Sequence, residues 1–249
     1  MEYPTGSPLA LADPARNGIG ASDLFCSGLI GNPDFPLENQ QASGAAIFRG
    51  GDMASVLLII DMQVDFFAHE GLVRQRSALA AHTNALIAMA RAAKVPIVWV
   101  KQEFLPDLSD ASLEVKRGRI SIVIAGTPGA MLLPELDAQV QDLVVVKKRY
   151  SAFFGTVLDT FLSRIGCTRL IVAGINTHAC IRTTVVDAYQ RDYEVILAGD
   201  CISSHDKTHH EISWKYMDGK LGIGMSNERL GDLLRSQVVG AEPLSRRSR

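Results

Sequence analysis

Residues 170–198 read LIVAGINTHACIRTTVVDAYQRDYEVILA, and this stretch predicts two buried β-strands joined by a turn and a helix. Its two ends, Leu170–Ala173 and Val195–Ala198, are short and apolar throughout, which is typical of strands buried on both faces. A glycine-containing turn between them leads into a helix predicted over Cys180–Gln190. Neighbouring strands that are connected through a helix lie parallel in one sheet.

The chain after residue 53 repeats this alternation of apolar runs and amphipathic stretches. Further strands are predicted at Val56–Ile60, Pro96–Val100, Leu143–Val146, near Ile223, and at Ile120–Ile124 within a long connection, 103–139. Further helices are predicted at Ser77–Ala93, Thr156–Ile165, Lys207–Met217 and Asn227–Leu234. We therefore expect an α/β fold of three layers, α/β/α, with a mostly parallel central sheet of about six strands.

The composition separates one compact domain from two flanking segments. Residues 1–52 are rich in Gly, Pro, Asn, Ser and Ala, which predicts a poorly ordered N-terminal extension. The compact domain is predicted at 53–239, and 240–249 is predicted to be a tail. With 249 residues, of which 47% are hydrophobic, the chain can bury one large core.

The charge and the cysteines indicate which partners to expect. A formal net charge of −2 gives no electrostatic reason to expect nucleic acid or an anionic membrane surface. No apolar run approaches the roughly 18 residues of a membrane span. The four cysteines are irregularly spaced, so we expect a reduced, cytoplasmic protein. No glycine-rich phosphate-binding motif follows a strand, so a dinucleotide cofactor is not expected. We predict no cofactor and a small-molecule substrate.

Three residues of complementary chemistry, Asp61, Lys147 and Cys180, each follow a predicted strand. Ligands of an open parallel sheet bind beyond the carboxyl ends of the strands, where these side chains are expected to meet. A carboxylate can accept the proton of a thiol, and a neighbouring cation favours the thiolate. Together the three residues predict a cysteine hydrolase.

Each of the three also has an ordinary structural interpretation. A free cysteine is commonly a small buried hydrophobe, Asp61 could cap a turn, and Lys147 could belong to a solvated basic turn. For Cys180 the predicted helix N-terminus favours a functional role. Its partial positive charge would lower the pKa of the thiol, and its N–H groups would bind an oxyanion.

Three longer strings resemble the signature blocks of the isochorismatase-like cysteine hydrolases. The strings are LLIIDMQVDFF, VVVKKRYSAFFGT and VAGINTHACIRTTVVDAYQRDYEVILAGDCISS, and the resemblance runs over about 53–235. It implies a catalytic triad of Asp61, Lys147 and Cys180. Lys147 fits the K-x-x-Y-S spacing of the family better than its rival Lys148 does. The resemblance also implies a non-proline cis peptide bond between Ile175 and Asn176.

The same resemblance implies the surroundings of the triad. The backbone N–H groups of Asn176 and Cys180 would form the oxyanion hole. Side chains from Phe66, Tyr150 and Phe153 would line the substrate pocket, although aromatic residues near strand ends are often plain core. Members of the family commonly form dimers or tetramers, so a homo-oligomer is expected.

Two departures from family patterns narrow the expected activity. Nicotinamidases of this family carry an Asp-x-His metal cluster after the second strand, where this chain has VWVKQEFLPDLSD. The absence of a histidine there argues against a metal and against nicotinamidase activity. Isochorismatases proper do not use a cysteine at the nucleophile turn. Cys180 therefore favours covalent hydrolysis of an amide, ureido or carbamoyl C–N bond through a thioester-like intermediate.

Other interpretations stay open at this point. A redox protein could use Cys180 with Cys201 as its resolving thiol, a hydrolase could cleave a different bond such as the isochorismate vinyl ether, and a binding-only relative could have lost activity. A metal-like group, His205, Asp206, His209 and His210, is better explained as a solvated helix start, because adjacent histidines point to different faces of a helix.

Overall fold

The computed structural model describes residues 54–240, with side chains as far as Gln237. Its strands are β1 (Ser55–Ile60), β2 (Ile97–Gln102), β3 (Leu143–Lys147), β4 (Arg169–Gly174), β5 (Glu194–Ile202) and β6 (Ile223–Met225). They form one sheet in the order β3-β2-β1-β4-β5-β6, and every neighbouring pair is parallel. The predicted extension, 1–52, and residues 241–249 of the predicted tail lie outside the described residues.

Seven α-helices connect and cover the strands of this described part. They are α1 (Glu70–Val73), α2 (Arg76–Ala92), α3 (Leu113–Gly118), α4 (Leu158–Arg164), α5 (Arg182–Tyr189), α6 (Lys207–Met217) and α7 (Asn227–Gly240). The predicted bounds of α2, α4 and α6 are confirmed to within two residues, whereas α7 continues six residues past its predicted end. Between residues 54 and 240, no helix is long and apolar enough to cross a membrane.

Apolar side chains pack on both faces of the sheet, which confirms the three-layer α/β/α architecture. Alternate residues of β1 point to opposite faces, so Leu57 and Ile59 belong to one cluster while Val56 and Leu58 belong to the other. The first cluster includes α2 and α7, and the second includes α4 and α5. A slip of β1 by one residue would exchange the side chains of the two clusters, so the packing of both faces fixes the register.

The connection between β2 and β3 contains no strand at Ile120–Ile124, contrary to the sequence prediction. A single bridge joins Phe104 to Ile124 instead. Val123 has a φ of 46°, a left-handed conformation that an extended strand cannot contain. Its N–H group donates a hydrogen bond of 2.6 Å to the Asp65 carboxylate. The apolar pattern of residues 120–124 predicts a strand because a hydrogen bond to a distant side chain such as Asp65 leaves no mark in that pattern.

The order of the strands creates a crevice between β1 and β4. From β1 the chain moves outward to β2 and β3, and it returns to the other side of β1 as β4. Ligands bind outside the carboxyl ends of the strands at such a switch point. Asp61 directly follows β1, and the turn that carries Cys180 follows β4. The topology therefore brings a carboxylate and a thiol to the same crevice.

Gly174 closes the contact between β1 and β4 at this crevice. Its φ is 115°, and a Cβ atom at this position would lie 2.0 Å from the carbonyl oxygen of Ile60. That oxygen accepts a hydrogen bond from the N–H of Ile175 at 3.0 Å. The close approach of the two backbones therefore requires glycine.

We expect Gly174→Ala to lower the free energy of unfolding by about 2–5 kcal/mol, because the added methyl group combines backbone strain with a clash against the backbone. Urea denaturation followed by circular dichroism measures this loss. Gly219→Ala is the matched control, since Gly219 also has a positive φ but has open space around its Cβ position. Equal costs for the two variants would contradict the proposed close approach.

Candidate active site

The ammonium group of Lys147 lies at the centre of the candidate site. Its Nζ is 2.8 Å from Asp61 Oδ2 and 3.3 Å from Cys180 Sγ. It also donates to Gln102 Oε1 at 3.1 Å and to the carbonyl oxygen of Arg149 at 3.2 Å. The side chains of Lys147 and Asp61 are 0% and 2% exposed, so the charges of this ion pair are almost fully removed from water. The three residues that the sequence singled out thus meet within one hydrogen-bonded group.

Asp61 is held at the end of β1 in a left-handed conformation with a φ of 56°, which aspartate tolerates better than most residues. Its N–H donates to the carbonyl oxygen of Val100 at 2.8 Å, so the residue still belongs to the sheet edge. Within the described residues, its Oδ1 atom is buried without a hydrogen-bond partner. A carboxylate with one unpaired oxygen can receive a proton without first losing a contact.

The electrostatics keep Cys180 protonated at rest. Burial, together with the negative charge of Asp61, raises the pKa of the Cys180 thiol well above its usual value, although Lys147 opposes this shift. Burial also raises the pKa of Asp61. Burial, the largest single cause, disfavours the charged form of Lys147, but Asp61 and Cys180 together outweigh it and the pKa of Lys147 is raised. The thiol proton therefore has a basic acceptor beside it.

The sequence predicts that a helix N-terminus lowers the pKa of Cys180, and this prediction is wrong because the pKa is raised. Cys180 does not begin the following α-helix, but lies inside a single π-helical turn, Thr177–Ile181, that precedes α5. Desolvation of the sulfur is the largest cause of its raised pKa. The thiol of Cys180 is therefore not intrinsically acidic in this structure.

The nucleophile turn contains the cis peptide bond between Ile175 and Asn176 that the resemblance implied. The carbonyl oxygen of Asn176 accepts hydrogen bonds from the N–H groups of Ala179 at 3.1 Å and Ile181 at 3.2 Å. The hydrogen bond from Ile181 joins residues five positions apart, which is the spacing of a π-helix, and π-helical turns occur frequently at functional sites. The side-chain oxygen of Asn176 accepts the N–H of His205 at 3.1 Å, which attaches the turn to the end of β5.

The predicted oxyanion donors, the N–H groups of Asn176 and Cys180, lie at the two ends of this turn. Both residues belong to the segment that follows β4 at the switch point. Cys180 is 5% exposed, so an oxyanion beside its N–H group would be shielded from bulk water. Hydrogen bonds to a developing charge are stronger in such a setting. The role of these two donors stays a prediction.

A cavity of about 520 Å³ has Gln102 and Arg149, two hydrogen-bond partners of Lys147, in its wall, whereas Asp61, Lys147 and Cys180 themselves are not among its wall residues. Its wall is formed by residues from the end of β2, the connection before β3, the segment after β3, and α5: Gln102, Ser112, Leu113, Glu114, Arg149, Tyr150, Ser151, Phe154, Thr183 and Asp187. Gln102 places its side chain both in this wall and against Lys147. The volume suits a small molecule with a few polar groups.

The three aromatic residues predicted for the pocket lie in different places. Tyr150 lines the cavity and is about half exposed. Phe153 is buried in the core, where its ring stacks on Tyr193 and lies under the guanidinium of Arg191. Phe66 packs against the core and is not among the residues of the cavity wall. The side chain next to Phe153, Phe154, faces the cavity instead.

The sequence analysis did not single out two glutamines that organise the site. The side chain of Gln63 accepts the N–H of Gln102 at 2.8 Å and donates to the carbonyl oxygens of Gln102 and Ala130, each at 2.8 Å. Gln63 is fully buried. The sequence offered one signal for Gln63, its position two residues after the strand-end Asp61. A polar side chain buried at such a place requires hydrogen-bond partners.

Cys180 and Cys201 lie on opposite faces of the sheet. Cys180 packs in the cluster that contains α4 and α5, whereas Cys201 packs in the cluster that contains α2 and α7. Cys167, Cys180 and Cys201 are all free thiols. A disulfide between Cys180 and Cys201 would have to pass through the sheet, so the geometry gives no support to the redox interpretation.

The histidines of the metal-like group lie around the start of α6 and have separate partners. His209 pairs with Asp206 at 3.0 Å, and His210 contacts the hydroxyl of Thr177 at 2.7 Å. In the part of the chain that the structure describes, no three His, Cys, Asp or Glu side chains are placed to hold a metal ion.

Comparison with protein families identifies the family to which the chain belongs. A family model described as the isochorismatase domain matches residues 55–229, which include Asp61, Lys147 and Cys180. This chain belongs to the isochorismatase family. The family assignment suggested by the three signature strings is thereby confirmed.

Individual relatives of this isochorismatase-family hydrolase agree with the assignment. A probable inactive nicotinamidase of Arabidopsis thaliana is 37% identical over 147 residues, which cover 56% of this chain and 74% of that protein. The ureidoacrylate amidohydrolase RutB of Methylorubrum extorquens is 29% identical over 170 residues, which cover 59% and 68%. The crystal structure of an isochorismatase family protein from Desulfovibrio vulgaris has a TM-score of 0.67 and 31% identity, and it covers 74% of this chain and 100% of that one.

Proposed function

We propose that this protein hydrolyses a C–N bond of a small amide, ureido or carbamoyl compound, with Cys180 as the nucleophile. The observation that carries the proposal is the position of Lys147, whose Nζ is 2.8 Å from Asp61 Oδ2 and 3.3 Å from Cys180 Sγ. A cavity of about 520 Å³ also supports the proposal, because its wall includes Gln102 and Arg149, which both accept hydrogen bonds from Lys147.

In the proposed mechanism Asp61 takes the thiol proton while Lys147 stabilises the thiolate. The sulfur attacks the carbonyl carbon, and the resulting oxyanion accepts hydrogen bonds from the N–H groups of Asn176 and Cys180. The C–N bond then breaks, and the leaving nitrogen takes its proton from Asp61. Water attacks the thioester-like intermediate, which releases the acid and returns the proton to sulfur.

The relationship to RutB supports a C–N bond as the target. That relative is named for the hydrolysis of a ureidoacrylate, and the matched region covers 68% of it. A thiol nucleophile suits acyl transfer, because it forms an intermediate that water can hydrolyse. One relative is named a probable inactive nicotinamidase, so loss of activity is the main alternative to the proposed function.

An ammonia-release screen of the full chain against primary carboxamides, ureido acids and N-carbamoyl amines tests the proposal. Each reaction is also quenched in acid, and the mass of the Cys180 peptide is measured. We expect ammonia from at least one class, together with an adduct on Cys180. Ammonia release by a variant that lacks Cys180 would contradict covalent catalysis. If no compound gave either ammonia or an adduct on Cys180, the result would favour an inactive protein. Incubation with isochorismate, followed by chromatography, tests cleavage of the vinyl ether.

A further inference from the structure

Four of the six histidines of the chain form a continuous row of ring contacts at the nucleophile turn. The ring centroids of His69 and His205 are 4.5 Å apart, and those of His205 and His178 are 5.1 Å apart. The row ends with His209, whose ring centroid is 5.5 Å from that of His178. We call these four residues the histidine cluster, and the proposed hydrolysis gives this cluster no role.

Three different segments meet in the histidine cluster. His178 belongs to the nucleophile turn, and His69 is the N-cap of α1. His205 lies between β5 and α6, and His209 lies in the first turn of α6. A change in the charge of the cluster therefore acts on all three segments at once.

The start of the nucleophile turn is attached to the segment that follows β5. Three consecutive side chains of the turn each contact a partner in that segment, and an imidazole takes part in every contact. Protonation of these rings therefore acts on the residues directly before Cys180. The three atom pairs are Asn176 Oδ1 with His205 Nδ1 at 3.2 Å, Thr177 Oγ1 with His210 Nδ1 at 2.7 Å, and His178 Nδ1 with Ser204 Oγ at 2.7 Å.

The contact between Asn176 and His205 shows where a proton would be added. The backbone N–H of His205 donates to Asn176 Oδ1 at 3.1 Å, which identifies this atom as the amide oxygen. An amide oxygen only accepts, so the neighbouring ring atom, Nδ1, carries the hydrogen. The other ring nitrogen, Nε2, takes up the additional proton. Protonation thus leaves this hydrogen bond in place and adds a positive charge to the cluster.

The surroundings of the cluster favour neutral imidazoles. Burial, together with the positive charges of His205 and His209, lowers the pKa of His178. Burial, together with His69 and His209, also lowers the pKa of His205. Asp206 opposes both shifts, but its carboxylate is already paired with the His209 ring at 3.0 Å.

The other carboxylates beside the cluster have partners of their own. On α1, Glu70 pairs with Arg74 at 2.8 Å. On α6, Glu211 lies 3.9 Å from the ammonium group of Lys207. Burial lowers the pKa of His210, and Glu211 opposes this shift. Asp206 is therefore the counter-charge of the cluster within the described residues, and a second or third proton among the four rings would lack a partner.

We propose that the histidine cluster is a proton-sensitive switch that holds the nucleophile turn in place when neutral and releases it when several of its rings are charged. Histidine titrates between about pH 5 and about pH 8, so the switch operates in mildly acidic solution. This inference goes beyond the proposed function and does not depend on it, because the order of the turn can be measured without a substrate.

The direction of the pH dependence follows from the burial and charge of the rings. The pKa values of His178 and His205 in the attached state are lower than 6.5, the value of a free imidazole. A released turn therefore binds protons at a higher pH than the attached turn does. The attached turn is fully stabilised above pH 6.5 and loses this stabilisation as the pH falls through the lower values of the attached state.

Hydrogen–deuterium exchange of the full chain, followed by mass spectrometry, tests the proposal at pH 7.5 and pH 5. Each exchange rate is divided into the intrinsic rate at the same pH, which gives a protection factor. We expect the protection factor of the peptide that covers 175–181 to fall about tenfold at pH 5, which corresponds to one unit of pKa shift. Peptides from α2 are expected to keep their protection, since the release is local. An unchanged protection factor at 175–181 would overturn the proposal.

Variants with glutamine separate the charge of the rings from their packing. His178→Gln combined with His205→Gln keeps polar side chains that cannot be protonated, so the protection factor of 175–181 is expected to be the same at both pH values. His82→Gln is the matched control, because His82 is an exposed histidine on α2 outside the cluster. This control is expected to show the full tenfold fall. A tenfold fall that persists in the double variant would overturn the proposal.

A single variant gives a second test that leaves the contacts of the turn unchanged. His209 is exposed, and its ring acts on the turn through its contact with His178. We expect His209→Gln to keep the protection factor at pH 7.5 and to reduce the fall at pH 5 to about threefold, because one charge is removed and Asp206 is freed. A full tenfold fall in His209→Gln would contradict repulsion within the cluster.

The proposed function and this inference fail in different ways. A failed ammonia-release screen does not affect the exchange experiment, which is carried out on the free protein. Protection of 175–181 that is independent of pH in the wild type would overturn the switch even where hydrolysis is established.

Discussion

Replacing Cys180 with alanine is expected to reduce ammonia release by about 10⁴–10⁶-fold, the range found when a covalent nucleophile is removed. The side chain lies 3.3 Å from Lys147 Nζ and beside the Asp61 carboxylate, and in the proposed mechanism these two groups move and stabilise charge while only the sulfur bonds to the substrate carbon. Steady-state rates of the purified variant and the wild type, with the best substrate of the screen, measure the effect.

Two controls accompany this substitution. Cys201→Ala removes a buried thiol on the opposite face of the sheet, so kcat is expected to stay within a few-fold of the wild type. Circular dichroism of Cys180→Ala checks that the fold is intact, because removing one buried sulfur costs little packing. Retention of more than a tenth of the wild-type kcat in Cys180→Ala would rule out the sulfur as nucleophile.

The second large effect concerns the buried ion pair between Asp61 and Lys147. Breaking such a pair by removing one partner typically costs about 3–5 kcal/mol, because an uncompensated charge stays buried. We expect Asp61→Asn and Lys147→Met each to lose stability of this order at pH 7, and the double variant to recover most of it. Neither single variant is expected to hydrolyse substrate.

The two single variants are expected to respond to pH in opposite directions. In Lys147→Met, the Asp61 carboxyl loses the cation that lowers its pKa, so its folded pKa rises further above 3.8 and protonation stabilises the fold as pH falls. In Asp61→Asn, burial moves the pKa of Lys147 below 10.5, so stability increases as pH rises towards that value. Each slope approaches about 1.4 kcal/mol per pH unit.

Urea denaturation between pH 5 and pH 9 measures both slopes. The double variant, Lys147→Met with Asp61→Asn, has no buried charge at this position, and its stability relative to the wild type serves as the baseline. If the two single variants showed parallel pH profiles, the two side chains would not be neutralising each other inside the protein.

The sequence predicted the sheet and the meeting of Asp61, Lys147 and Cys180 well, and the reason is physical. Strands such as Val56–Ile60 are buried on both faces, so they appear as unbroken apolar runs that few other structures produce. A charged residue directly after such a run is costly to bury unless it has a partner. Asp61 and Lys147 can therefore be recognised in the sequence, and the ion pair between them offsets the cost of burying each charge.

The cavity and the local backbone were harder to predict. The wall residues Tyr150 and Phe154 lie on the irregular segment between β3 and α4, where side-chain direction depends on turns that have no periodic pattern. Phe153 and Phe154 are neighbours of the same type, and only the observed packing against Tyr193 shows which of them faces the core. The pKa of Cys180 likewise depends on burial, which a motif does not encode.

The three side chains of the candidate site and the cavity wall come from different parts of the chain. Asp61 and Lys147 lie at the ends of paired parallel strands, and Cys180 lies in the turn after β4. Ser112, Leu113 and Glu114 belong to the connection between β2 and β3, at the start of α3. Exchange of that connection alone can alter which compounds are accepted and leave the chemical centre intact, so it is the natural target for redirecting this scaffold towards new substrates.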